Sequence, residues 1–158
     1  ENDNYNIYKE NDLLIGGIKI QSNFKNAEIK VGEKTFKLTR DKWTTKVLEK
    51  DKIVYHLKTN SFSGNTKVLE AEQKIKGVWG PKWGTQLVDK ENNTLLKIRN
   101  KNQFRNTNKY VIEISNENAT DFDILLTLYG HLYGSSMKQK VVIGTIVIGI
   151  IISGILTQ

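Results

Sequence analysis

Hydrophobic and polar residues alternate with a period of two through most of the first 115 positions. In "AEIKV", Ala27, Ile29 and Val31 share one face while Glu28 and Lys30 share the other. "KTFKLTR" repeats the pattern with Phe36 and Leu38, "IVYHLK" with Ile53, Tyr55 and Leu57, and "KYVIEIS" with Tyr110, Ile112 and Ile114 inward. Further runs of the same kind are "YNIY", "LLIGGIKI", "WTTKVLE", "TKVLEAE", "QKIKGV", "WGTQLVD" and "LLKIRN". Turn residues separate them: Asn11-Asp12, Gly32-Glu33, Asp51-Lys52, Gly64-Asn65, Asn92-Asn93 and the stretch from Asn106 to Asn108. Period-two runs bounded by such turns predict antiparallel strands. The chain therefore reads as mainly β. About eleven strands in so short a length predict a closed antiparallel barrel of about 11–12 strands, because a long open sheet leaves unpaired edges.

The period then changes. "NATDFDILLTLYGHLYGSSMKQK" predicts a helix over 121–135, with Thr120 as N-cap and Asp123 three residues on. Asp121 and Asp123 read as a helix-capping pair near the positive end of the helix dipole, not as an acid–base couple. Ile124, Leu125, Leu128 and Leu132 line one face, flanked by Phe122 and Tyr129, and Gly134-Ser135-Ser136 reads as the stop. Because this helix is apolar nearly all round, it should be buried all round. Residues 1–136 are thus expected to form one domain, a barrel with a hydrophobic helix through its middle.

Two stretches, "WGTQLVDKENNTLLKI" (strand, acidic turn, strand) and "ATDFDILLTLYGHLYG", follow the order of many short strands and then one apolar helix. In that order the chain resembles the tubby-like superfamily, which includes the tubby C-terminal domain, the LURP-one-related proteins and the phospholipid scramblases. The resemblance covers roughly residues 5 to 136 and implies a twelve-stranded barrel around a helix. It carries no site over, since the basic residues of the tubby phosphoinositide site have no counterpart that can be aligned here. The chain departs from the scramblase pattern by continuing into an apolar tail.

That tail, Val141 to Thr157, has no charge, and eleven of its positions are Val, Ile or Leu. As a helix it is about 26 Å long, at the short end of what spans a hydrocarbon core of about 30 Å. Insertion is worth on the order of −3 to −6 kcal/mol. A single strand of that length is out of range for ordinary sheets, and the barrel already has its helix. Residues 137–158 are therefore expected to be a basic linker and one C-terminal transmembrane helix. Lys138 and Lys140 would lie at the membrane interface. Thr145, Gly149, Ser153 and Thr157, four residues apart, form a stripe suited to helix–helix packing, with Gly/Ser/Thr scatter as the alternative. The positive flank predicts a single-pass, tail-anchored protein with its globular part in the cytoplasm, an orientation that inverts if a signal peptide once preceded Glu1.

Composition narrows the chemistry. The chain of 158 residues has no cysteine and a net charge of +7, so thiol chemistry and disulfides are excluded. Lysines interleave with acids along the sequence, which reads as a solvated basic surface more than as a patch. His56 sits in a strand and His131 in the apolar helix, and neither has metal-ligand spacing. No nucleophile elbow, phosphate loop or dinucleotide fingerprint occurs. In "KGVWGPKWGTQ", Trp79, Pro81, Lys82 and Trp83 make a basic aromatic loop, either a lid over the barrel end or a contact for lipid or a partner. No cofactor, metal, nucleic acid or small-molecule substrate is expected. The partners expected are membrane lipids and other membrane protein subunits or a second copy. The expected function is a membrane-tethered, non-catalytic accessory or scaffold subunit; the alternative is a phospholipid-binding or scramblase-like lipid-handling protein.

Overall fold

Short turns convert the alternating runs into one meander. At one of them, Lys50 and Asp51 both take positive φ (47° and 63°), the two-residue hairpin whose twist matches its strands. At another, the Asp89 carboxylate accepts the Asn93 backbone N–H at 2.8 Å and the Asn93 side-chain amide at 3.0 Å. The computed structural model describes residues 2–8, 13–78, 84–101 and 110–136. Within them lie eleven strands: β1 (Asn2–Tyr8), β2 (Leu14–Gln21), β3 (Asn26–Val31), β4 (Lys34–Asp41), β5 (Thr44–Glu49), β6 (Lys52–Thr59), β7 (Thr66–Val68), β8 (Gln73–Val78), β9 (Gly84–Val88), β10 (Thr94–Asn100) and β11 (Tyr110–Ile114). They form one sheet in sequence order, every neighbouring pair antiparallel. One helix, α1 (121–136), follows.

Alternation gives the sheet one apolar face. Each strand from β2 to β10 turns at least one aliphatic side chain inward with no more than 3% exposure, from Ile20 on β2 to Ile98 on β10. Helix α1 supplies the other half of the core. From Asp123 to Tyr129 every residue is buried, which a helix achieves only when surrounded. Its neighbours come from far around the sheet: Phe36 on β4 and Tyr55 on β6 against Phe122, Ile75 on β8 against Gly130, Thr85 on β9 and Asn100 on β10 against His131. Gly16 on β2 is a close approach. A methyl group there would meet the Lys30 carbonyl and lie 2.8 Å from Leu125 Cδ1.

Both helix ends are tied down. At the start, Thr120 Oγ1 accepts the Asp123 N–H at 3.1 Å, and Asp123 Oδ2 accepts the Thr120 N–H at 2.9 Å, the reciprocal capping box expected from the sequence. At the far end, Arg40 donates to three turn carbonyls, Phe24 at 2.9 Å, Asn23 at 2.8 Å and Lys42 at 3.0 Å. Its guanidinium lies 4.6 Å from the Tyr133 ring centre. A cation there also complements the negative end of the helix dipole.

The sheet rolls around α1 but is open, which corrects the closed barrel. An antiparallel ring needs an even number of strands. With eleven, β1 and β11 run in the same direction where they meet, and no backbone pairing joins them among the described residues. Side chains bridge the seam instead, with Tyr5 and Tyr110 edge-on at 6.3 Å. Two inward assignments also change. A bulge, in which Val47 and Leu48 of β5 face Tyr55 and Ile53, leaves Val54 as the extra residue and turns Ile53 outward to 46% exposure. Ile114, the last residue of a free edge strand, is 54% exposed. The glycine and serines expected to stop α1 lie inside it, to residue 136.

The transmembrane expectation is corrected too. Among the described residues no helix is long and apolar enough to cross a membrane. The sixteen described residues of α1 span about 24 Å, less than the roughly 30 Å of a hydrocarbon core, and strands cover them. The single-pass anchor and the cytoplasmic placement that depended on it are withdrawn. Residues 137–158, with Lys138, Lys140 and the stripe Thr145, Gly149, Ser153 and Thr157, lie outside the described residues.

Two outcomes follow. Leu125→Ala, at a site with no exposure, should cost about 2–5 kcal/mol in urea unfolding; a loss under 1 kcal/mol would mean that the helix is not enclosed. The Tyr110 phenol is pushed up to about 12, by burial first and then by Tyr5 and Asp3. The folded state thus prefers the protonated phenol. Its contribution is whole below pH 10 and is lost as pH rises from about 10 towards 12. Tyr110→Phe should flatten the alkaline loss of stability in that window, and an unchanged pH profile would count against the buried seam.

Candidate anion-binding face

Strand register, not sequence proximity, decides which outward side chains become neighbours. On β6, Leu57 and Thr59 are buried and Lys58 between them is exposed. On β7, Thr66 and Val68 are buried and Lys67 between them is exposed. On β8, Ile75 is buried, which places Lys74 on the outer face. The register sets Lys58 opposite Lys67 and Lys67 opposite Lys74. Adjacent strands lie about 4.8 Å apart, so three ammonium-bearing residues stand in line across about 10 Å. Lys76 lies two residues along β8 from Lys74, and Lys46 lies on β5 opposite His56.

Another row of the outer face is arranged differently. On β2, β3 and β4 the in-register row is Lys19, Glu28, Lys37, with signs alternating. Lys37 also pairs with Asp51 at 3.4 Å and Lys34 with Glu49 at 3.9 Å. These residues wall a shallow groove of about 430 Å³ whose charges satisfy one another. On β10 and β11, Arg99 pairs with Glu113 at 3.3 Å. Among the described residues no ion pair involves Lys58, Lys67 or Lys74. Like charges directly opposite one another on a sheet are destabilising, so the row is kept at a cost to the fold.

An acid of the adjoining β7–β8 turn is already committed. Glu70 accepts the His56 backbone N–H and the His56 Nδ1–H, both at 2.6 Å. Burial raises the Glu70 pKa, but those hydrogen bonds outweigh it and hold the carboxyl below its ordinary value. The pair ties the start of the β7–β8 turn to β6. His131 is a core residue, as the sequence suggested. Its Nε2–H donates to Asn100 Oδ1 at 2.9 Å, so Nδ1 accepts the Thr85 hydroxyl at 2.8 Å. Among the described residues no group of three or more His, Asp or Glu side chains converges as a metal site requires.

The loop of Trp79, Pro81, Lys82 and Trp83 lies outside the described residues. The lysine row was missed in the sequence because its members are nine and seven positions apart. The signal that could have found it is a lysine flanked by inward residues in three successive strands. Neither a protein-family model, nor a curated protein, nor a solved structure matches the chain.

A row kept against repulsion has a measurable signature. Lys67→Glu, in the middle of the row, should raise stability by about 0.2–1 kcal/mol at low salt. The gain should vanish near 1 M salt, where the screening length is about 3 Å. Denaturant midpoints at the two salt concentrations check this, and a destabilised variant at low salt would contradict it.

Proposed function

We propose that this protein is a non-catalytic docking module, accessory to a larger assembly, that engages a polyanionic surface through Lys58, Lys67 and Lys74. The observation that carries the reading is the row itself, three lysines in register on adjacent strands, where the row on β2, β3 and β4 alternates in sign. Function and stability trade off at sites where activity needs a destabilising arrangement, and a row of opposed like charges is such an arrangement. The centre of the molecule is filled by α1, so the fold offers its outer surface for binding. The order of a strand meander followed by one enclosed helix supports keeping the tubby-like resemblance within the proposal; the open seam is where the chain differs from that pattern.

Inorganic polyphosphate is a suitable probe, as it presents closely spaced charges and nothing else to recognise. A lysine near a charged surface contributes about 1 kcal/mol, so the K58E/K67E/K74E variant of the full chain should bind polyphosphate at least about a hundredfold more weakly. The dependence of log affinity on log salt should become shallower by two to three, as roughly that many counterions are no longer released. Unchanged affinity in the triple variant, or no binding by the wild type at low salt, would overturn the reading.

A further inference from the structure

The turn that ends the lysine row presents an apolar ring to water. Phe62, at the apex of the β6–β7 turn, is 100% exposed. It is not carried by a slack loop. The Asn60 side-chain oxygen accepts the N–H groups of Phe62 and Ser63, each at 2.9 Å. Asn60 N–H donates to the Asn65 carbonyl at 2.8 Å, and Gly64 N–H closes back on the Asn60 carbonyl at 2.9 Å. Gly64 takes φ 71°, a conformation that favours glycine. The turn is thus fixed by its own hydrogen bonds before any partner arrives, and what it displays is a bare phenyl group.

A second exposed aromatic lies beside it. The Trp43 carbonyl accepts the Thr59 N–H at 2.8 Å, and Thr44, next along the chain, is the cross-strand partner of Lys58. Trp43 is 43% exposed. Both aromatics therefore stand at one end of the sheet, at the end of the strands that carry Lys58 and Lys67. From the Lys58–Lys67 rung to the turn at Asn60 is two residues, about 7 Å.

This layering selects among polyanions. Single-stranded nucleic acid is gripped by aromatics interleaved with the cations, so that bases stack while phosphates pair. Here the aromatics stand beyond the cations, at the tip. A bilayer has that order: a sheet of anionic headgroups first, then an interface in which aromatic rings are favoured, then hydrocarbon. We infer that, granted the docking reading above, the surface engaged is an anionic phospholipid bilayer, with Phe62 and Trp43 entering the interface while Lys58, Lys67 and Lys74 hold the headgroups. The contact is peripheral and belongs to the rolled sheet.

The absence of cysteine in the chain makes a site-specific test direct. Phe62→Cys in the full-length protein carries a polarity-sensitive fluorophore at the apex, and Glu91→Cys carries the same label at the β9–β10 turn, at the opposite end of the strands. On vesicles of phosphatidylcholine with phosphatidylserine, the label at 62 should shift to the blue and be quenched by lipids labelled in the upper acyl chain. It should not do so on pure phosphatidylcholine, nor in a background of K58E/K67E/K74E, and the label at 91 should stay in water throughout. Phe62→Ser, at a fully exposed position, should fold normally. It should bind polyphosphate like the wild type while weakening the salt-sensitive part of vesicle binding about tenfold. If the wild type binds polyphosphate but the label at 62 remains in water on anionic vesicles, or if Phe62→Ser leaves vesicle binding unchanged, the bilayer is the wrong partner and the docking reading stands. Preference for single-stranded oligonucleotides over such vesicles would have the same consequence. If polyphosphate is not bound at all, both readings fall together.

Discussion

Burial of the whole circumference of α1 is the constraint from which the rest of the molecule follows. A helix with an unbroken buried stretch from Asp123 to Tyr129 has no solvent face, so the apolar side of the sheet must wrap it. Once that side is committed, alternation sends every second residue of each strand to the outside. The outer face then contains what the core excludes: lysines, acids, asparagines and a few threonines. Hydrogen-bonded register, fixed by short turns such as Lys50-Asp51, decides which of these charges meet.

The same constraint accounts for where polar groups are found inside. His131 sits on the helix and is 4% exposed, which an imidazole tolerates only with partners. Thr85 and Asn100, from adjacent strands, supply them. Tyr110 leans edge-on to the same ring at 5.7 Å and meets Tyr5 across the seam. The sheet edges are thus joined by aromatic and imidazole contacts where backbone pairing would have to be parallel, the slightly weaker arrangement.

Much of the fold was legible because it depends on local periodicity. Each period-two run contains a strand, although in "TKVLEAE" only Thr66–Val68 is one, and Thr120 with Asp123 became the capping box. What was not legible depends on parity and register. Whether a rolled sheet closes turns on an odd or even strand count and on where the first and last strands come to lie, and nothing in "NDNYNIY" or "YVIEI" states that. Val54 cannot be read as a bulge from its neighbours, so Ile53 was placed on the wrong face. The lysine row is legible only after three hairpins are aligned. In sequence, Lys58, Lys67 and Lys74 are ordinary members of a chain where lysines and acids alternate; in the sheet they are a line that makes no ion pair among the described residues.

The most direct measurement is a titration of isotope-labelled full-length protein with inorganic polyphosphate, followed through lysine side-chain and backbone amide resonances. Changes concentrated at Lys58, Lys67 and Lys74 and at the amides of β6, β7 and β8 are the expected result. Changes spread evenly over all the lysines, or centred on the alternating charges of β2, β3 and β4, would show that register assembles no binding face here.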